Sequence, residues 1–164
     1  MLLEIRKISD GFHGVFATEK INCNEKITNI DGLVKNFPNR YTLQVGENLH
    51  VDCGQNFPSY MNHSCDPTAY INCKLFTICA LRDILPDEEI TFDYNTTEFD
   101  MSEKIYPCLC GANGCLGQIS GWVNLSTDMK EYYLTKYPFG ISSWYDSIAI
   151  STDISEIKLV DRLG

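Results

Sequence analysis

Residues 89–94 read Glu-Ile-Thr-Phe-Asp-Tyr. At the two-residue period of an extended chain, Ile90, Phe92 and Tyr94 share one face while Thr91 and Asp93 share the other, so the stretch predicts a β-strand. Working outward, similar short apolar pieces recur. Leu3 and Ile5 alternate with Glu4 and Arg6, Val15-Phe16-Ala17 is followed by Ile21, and Leu75 to Leu81 is nearly continuous. Turn formers separate them at Asp31-Gly32, Phe37-Pro38-Asn39, Gly46-Glu47-Asn48, Asp66-Pro67 and Pro86-Asp87. Short strands between turns predict a mainly β domain. The character changes after Gly121. Asp128 with Glu131 three residues on resembles a capping pair, Met129, Tyr132, Tyr133 and Tyr137 fall on one helical face, and Pro138 stops the run. A helix is therefore expected over 126–137, and from Gly140 onward the pattern fits either coil or another helix.

The chain has 164 residues, 44% hydrophobic and 12% aromatic, with 13 Lys+Arg against 22 Asp+Glu and a net charge of −9. That hydrophobicity excludes intrinsic disorder, and no apolar run reaches the roughly 18 residues of a membrane span. The negative charge argues against direct nucleic-acid binding and favours a basic partner, although solubility alone is a commoner reason for it. Glu4, Arg6 and Lys7 interrupt any apolar signal core near Met1, which points to a cytoplasmic or nuclear chain.

In a reducing compartment, eight cysteines are read as metal ligands or free thiols before disulfides. Cys108, Cys110 and Cys115 stand within eight residues, separated by Gly111, Asn113 and Gly114, which let a loop fold tightly. Three converging thiolates suit Zn²⁺, which takes four ligands, and a local disulfide is the alternative. Spacing does not choose the fourth ligand among Cys23, Cys53, Cys65, Cys73 and Cys79, each by default a small core hydrophobe. Residues 60–67, Tyr-Met-Asn-His-Ser-Cys-Asp-Pro, form a polar string that is expensive to bury without partners. By itself the string reads as a surface turn.

Taken together in order, these stretches resemble the SET-domain protein-lysine methyltransferases. Gly11-Phe-His-Gly-Val-Phe-Ala17 is similar to the motif that contacts S-adenosylmethionine, and Arg40-Tyr-Thr-Leu-Gln-Val45 to the strand with a tyrosine at the lysine channel. Asn62-His-Ser-Cys-Asp-Pro67 matches the family's Asn-His-Ser-Cys-x-Pro motif. Residues 80–94 match the strand pair that ends in the catalytic tyrosine, and Cys108-x-Cys110-x4-Cys115 matches the post-SET zinc motif. The resemblance covers about residues 3–121.

The resemblance implies a β-clip of small curved sheets with a pseudoknot where residues around 60–67 and 90–100 cross. It divides the chain into a SET domain at 1–106, a post-SET zinc loop at 107–121 and a partly helical C-terminal extension at 122–164. The implied activity is methylation of lysine in a basic protein, a histone tail first, with S-adenosylmethionine as cofactor and structural Zn²⁺. Tyr94 and Tyr41 are the implied catalytic tyrosines. Phe12, His13, Gly14, Tyr41, Tyr60, Asn62 and His63 are the implied cofactor contacts. The resemblance also supplies the fourth zinc ligand, giving Cys65, Cys108, Cys110 and Cys115. Phe92 stands at the channel position where the family carries Phe or Tyr, and Phe implies di- or trimethylation.

The chain departs from the family at several points. Phe12 replaces the first glycine of Gly-x-Gly, Thr68 stands where Asn is usual and Ser59 where Arg is common. Leu116-Gly117-Gln118 lacks the usual aromatic, a role Trp122 is placed to fill. The extension offers itself as a wall of the substrate cleft or a homodimer contact. A catalytically silent SET module that binds a basic peptide is the alternative function.

Overall fold

The computed structural model describes residues 2–101 and 106–137. Twelve short strands make up the body: β1 Leu3–Ser9, β2 Phe12–Ala17, β3 Lys26–Asn29, β4 Leu33–Lys35, β5 Thr42–Gly46, β6 Leu49–Asp52, β7 Asn62–His63, β8 Ala69–Asn72, β9 Thr77–Ala80, β10 Glu89–Phe92, β11 Tyr106–Pro107 and β12 Gln118–Ile119. One helix, α1 Thr127–Lys136, follows. The strands form a four-stranded sheet in the order β1-β2-β10-β7, two three-stranded sheets, β3-β9-β8 and β4-β6-β5, and the β11-β12 pair. The expected set of small sheets with a short C-terminal helix is what the chain builds.

Local chemistry explains the element ends. Gly11 has φ +80 in the β1–β2 turn, so the glycine before Phe12 supplies the left-handed backbone there. Asn72 Oδ1 accepts from the Lys74 and Leu75 amides, bending the chain so that Leu75 is 70% exposed and β9 starts only at Thr77. The apolar run from Leu75 is thus half turn and half strand. Likewise β10 ends at Phe92, and Tyr94 opens a 3-10 turn, Tyr94–Thr96, capped by the Asp93 carboxylate, which accepts from the Asn95 amide. The alternation in 89–94 therefore marks a strand two residues shorter than it reads. A capping carboxylate satisfies turn amides better than further ladder pairing does.

The helix also starts differently from expectation. Ser126 is its N-cap, its hydroxyl accepting from the Met129 amide, and Asp128 sits in the first turn. Serine precedes the first helical residue, where a side-chain oxygen can reach the N3 amide, and Asp128 lies too far inside. Tyr133 and Tyr137 are buried from the helix, whereas Tyr132 remains 51% exposed.

The core joins β1, β2, β8, β9 and β10 through Val15, Ala17, Ile71, Ile78, Ile84 and Ile90, and it extends to Trp122, Tyr133 and Tyr137. The described part of the C-terminal extension therefore shares the core of the β body. Residues 138–164, with the rest of the expected extension, lie outside the described residues.

Candidate active site and thiol cluster

The site is built where two distant motifs pair. Strand β7 runs parallel to β10, with Asn62 opposite Thr91 and His63 opposite Phe92, and the Ser64 amide donates to the Phe92 carbonyl at 3.1 Å. This puts the polar string of 60–67 beside the strand leading to Tyr94, so it is not a free surface turn: Met61 and Pro67 are buried, Asn62 to Cys65 half-buried and Asp66 exposed. Segment 94–101 is in turn held by residues 120–123. The Met101 amide donates to the Ser120 carbonyl, and the Trp122 and Val123 amides donate to Glu98 and Phe99. Gly121 makes this approach feasible, because a Cβ there would lie 2.8 Å from both Met101 N and Phe99 O.

Two hydrogen bonds and two ring contacts define the Tyr94 environment. Its hydroxyl donates to the Met61 carbonyl at 2.8 Å, and its amide donates to His63 Nδ1 at 3.1 Å. That second bond requires an unprotonated Nδ1. The tyrosine ring packs on Phe92 at 4.8 Å between centroids and edge-on to His63 at 5.3 Å. Burial, then the charges of Glu98 and Glu89, pushes the Tyr94 hydroxyl up to about 12, so it keeps its proton at neutral pH. Burial lowers the His63 pKa, opposed by Asp93, whose Oδ1 lies 3.6 Å from Nδ1.

Asn62 ties the amino-terminal motif to this crossing. Its side-chain amide donates to the His13 carbonyl at 2.9 Å and to Glu89 Oε1 at 2.7 Å. Tyr60 ends a 3-10 turn and meets the His13 ring edge-on at 5.9 Å. A Cβ on Gly14 would meet Glu89 Oε1 at 2.5 Å and Ile8 Cδ1 at 2.8 Å, so only glycine fits without displacing its neighbours. Phe12 projects outward, 60% exposed. The structure thus gathers His13, Gly14, Tyr60, Asn62 and His63 at one sheet edge. Tyr41 stands apart in the turn before β5, 48% exposed, and among the described residues no hydrogen bond or ring contact joins it to Tyr94.

Of the three cysteines that the spacing singled out, Cys108 and Cys110 converge with Cys65 and His63. One ligand atom each from His63, Cys65, Cys108 and Cys110 lies within 4.8 Å of the others. Cys65 Sγ is 3.8 Å from Cys108 Sγ and 3.4 Å from His63 Nε2. Cys115 lies outside that group: its Sγ donates to the Cys108 carbonyl at 3.7 Å and accepts from the Gly117 amide at 3.4 Å. All eight cysteines are unbridged, so the disulfide alternative is not realised. Burial opposes ionisation of Cys110, but the amides of Cys65 and Ala112 and neighbouring thiols outweigh it and hold that group near 7. Burial pushes Cys108 up to about 11 and raises Cys65 as well.

Several participants were not anticipated. Asp93, Asn95, Glu98 and Tyr133 all belong to the buried polar network behind Tyr94. Only the position of Asp93 beside Tyr94 offered a signal for any of them. Trp122 is 5% exposed and packs 6.4 Å from the Tyr133 ring, so it anchors the helix within the core.

A family model described as the SET domain matches residues 13–95. The H3 lysine-4 specific histone-lysine N-methyltransferase of Aspergillus oryzae is 34% identical over 128 residues, 63% of this chain and 10% of that protein. Methyltransferase flvH of Aspergillus flavus is 34% identical over 98 residues, 58% of this chain and 52% of its own length. The chain thus spans about a tenth of the first relative and about half of the second. Among solved structures, KRYPTONITE in complex with mCHG DNA and SAH superposes with a TM-score of 0.61 at 24% identity, covering 71% of this chain and 28% of that one. The methyltransferase domain of human SETMAR gives 0.59 at 19% identity, covering 73% and 58%. At those identities the likeness speaks for the fold. A dimer contact finds no support in these comparisons, and no helix among the described residues is long and apolar enough to cross a membrane.

Proposed function

Because this chain belongs to the SET-domain family, we propose that it transfers methyl groups from S-adenosylmethionine to the side-chain amine of lysine in a basic protein, a histone tail first. The observation that carries the reading is the Tyr94 hydroxyl, held on the Met61 carbonyl beside Phe92 and His63 at the crossing of two motifs. The Aspergillus oryzae relative acts, by its name, on lysine 4 of histone H3. SAH accompanies one of the similar structures.

S-adenosylmethionine supplies an electrophilic methyl carbon on a sulfonium. The chain's own residues supply placement. Backbone at Phe12–Gly14, the Tyr60 ring, the Asn62 amide and His63 combine a carbonyl, an aromatic edge and amide donors, which suits a nucleoside with an amino-acid tail. Lysine carries a proton at neutral pH, with a reference pKa near 10.4, and desolvation disfavours that charge. Phe92, 3% exposed, and Met61 offer the apolar surroundings for it. Tyr94 stays protonated, so its oxygen orients an amine and does not act as a general base. Tyr41 takes part as a channel wall. Phe92 brings no hydroxyl to hold a water beside the amine, which leaves room for a second and third methyl group.

Zinc fits the donor set, because the thiols of Cys65, Cys108 and Cys110 converge with His63 and one of them is already easily ionised, while Cys115 on the same loop is the further ligand the family pattern implies. Bound there, it would cross-link the loop to the Asn62–Asp66 segment. His63 Nε2 then serves to fix the ring against Cys65 while Nδ1 holds the Tyr94 amide.

The test is incubation with labelled S-adenosylmethionine and a panel of histones and other basic proteins. The wild-type chain is expected to label a lysine, and Tyr94→Phe to lose about 10²-fold or more of that rate without unfolding. Phe92→Tyr is expected to shift peptide masses toward monomethyl-lysine. Cofactor binding with no incorporation into any substrate would instead support the silent peptide-binding module.

A further inference from the structure

Helix α1 does more than close the core. Tyr133 is 2% exposed, and its hydroxyl donates to Asp93 Oδ2 at 2.6 Å, reaching from the C-terminal extension to the residue that precedes Tyr94. The Asp93 side chain is fully buried. Its Oδ1 accepts from the Asn95 amide at 3.0 Å and the Asn95 side chain at 3.1 Å, which makes it the N-cap of the turn carrying Tyr94. Among the described residues, Tyr133 is the one hydrogen-bond donor to Oδ2. A phenylalanine would fill the same space beside Trp122 and Tyr137. The hydroxyl therefore has a purpose beyond packing, since burying one is unfavourable unless it bonds.

We propose that Tyr133 is a positioning residue for Tyr94: by locking the Asp93 carboxylate it fixes the N-cap, and so the place where the Tyr94 turn begins. The inference rests on the reading of Tyr94 as the methyl-transfer tyrosine. Asp93 Oδ1 also lies 3.6 Å from His63 Nδ1, the atom that receives the Tyr94 amide, so the carboxylate caps the turn and borders its histidine support without bonding the imidazole. Freed from Tyr133, Oδ2 has no donor, and the carboxylate turns toward another group and takes the cap with it. Displacing a reacting-site group by about 1 Å can lower a rate by about 10²-fold.

The experiment uses the full zinc-loaded chain. Tyr133→Phe removes one oxygen and keeps the ring. It is expected to lower kcat about tenfold, with KM for S-adenosylmethionine within about twofold and zinc per chain unchanged. Hydrogen exchange at the Tyr94 and Asn95 amides should quicken about tenfold, while amides of β1 and β2 hold their wild-type rates. Tyr132→Phe, on the exposed side of α1, is the control and should match wild type in every readout. Wild-type kcat and wild-type exchange in Tyr133→Phe would overturn the proposal. So would exchange that quickens uniformly through β1, β2 and the turn, because that marks ordinary loss of docking.

If Tyr133→Phe does not fold, Asp93→Asn, which keeps the Tyr133 ring and hydroxyl, decides. Its kcat and exchange at the Tyr94 amide should shift as expected for Tyr133→Phe, and wild-type values of both overturn the proposal. If Tyr133→Phe does fold, combining it with Asp93→Asn tests the coupling. The double variant should lose no more kcat than Asp93→Asn alone, and a full additional loss overturns the coupling. A wild-type chain that methylates nothing overturns the activity reading separately. The exchange measurement then still decides whether Tyr133 orders the turn.

Discussion

The turn that carries Tyr94 and the loop that carries Cys108, Cys110 and Cys115 both meet the chain at residues 63–65, yet different physics holds them. In the turn, Asp93, Asn95, Thr96 and Thr97 are polar and buried, and each has hydrogen-bond partners. Asn95 alone ties the turn to the segment at 120–121, its Oδ1 accepting from the Ser120 and Gly121 amides while its Nδ2 donates to Asp93. In the loop, only Leu116 among residues 108–117 packs against the hydrophobic core, and Leu109 is 91% exposed. Gly111 and Gly117, both at positive φ, bend the chain so that thiols face thiols. The turn is complete without any ion. The loop presents soft ligands held near one another by a few backbone amides, such as Leu116 N on Cys65 Sγ and Gly117 N on Cys115 Sγ, and by little apolar packing.

That contrast can be broken most forcefully by removing the metal. A strong chelator is expected to abolish methyl transfer and expose residues 108–117 to limited proteolysis, while circular dichroism of the β body persists. A loop that stays protected without metal would erase the distinction. A smaller effect comes from the turn. Asn95→Ala strips a donor from a buried carboxylate and leaves two buried amides without acceptors, so urea unfolding should register a loss on the order of 2–4 kcal/mol. Zinc content in that variant should be unchanged.

The smallest effect sharpens the comparison within the turn itself. Burial pushes the Glu98 carboxyl up to about 7 from its ordinary 4.5, despite hydrogen bonds from the Gln44 amide and the Thr97 hydroxyl. Between those values the folded chain holds more protons than the unfolded one, so this group's contribution to stability falls as pH rises through the window. Glu98→Gln should match the wild-type melting temperature near pH 4.5 and exceed it at pH 8, as differential scanning calorimetry would read. Equal melting temperatures at pH 8 would remove Glu98 from the set of strained buried groups.

How much of this was legible beforehand differs by residue. Ile90, Phe92 and the strand before them follow from period-two alternation, because a pleated chain must sort its side chains by face. The end of β10 does not follow from it, since the Asp93 cap that terminates the strand is a local alternative to ladder pairing which the alternation conceals. Leu75 misled for a related reason, as a turn made by Asn72 put an apolar residue outside. Tyr41 shows a different gap. Its place in the chain agrees with the resemblance, but no contact of the described structure brings it to Tyr94.

The sequence by itself determined the β-rich character, the ordered motifs with their tyrosine, the cluster of thiols and the helix with its tyrosine-bearing face. All of these are set by residue type and by spacing over a few positions. That Cys65 meets Cys108 across 43 residues was implied only by the family resemblance and not by spacing, and the tertiary structure alone decided that Tyr133 meets Asp93 across 40. Those meetings come from the parallel pairing of β7 with β10 and from residues 120–123 lying on the Tyr94 turn. A crossing of distant segments leaves no periodicity in either one, which is why the polar network behind the site became visible only once the chain had folded.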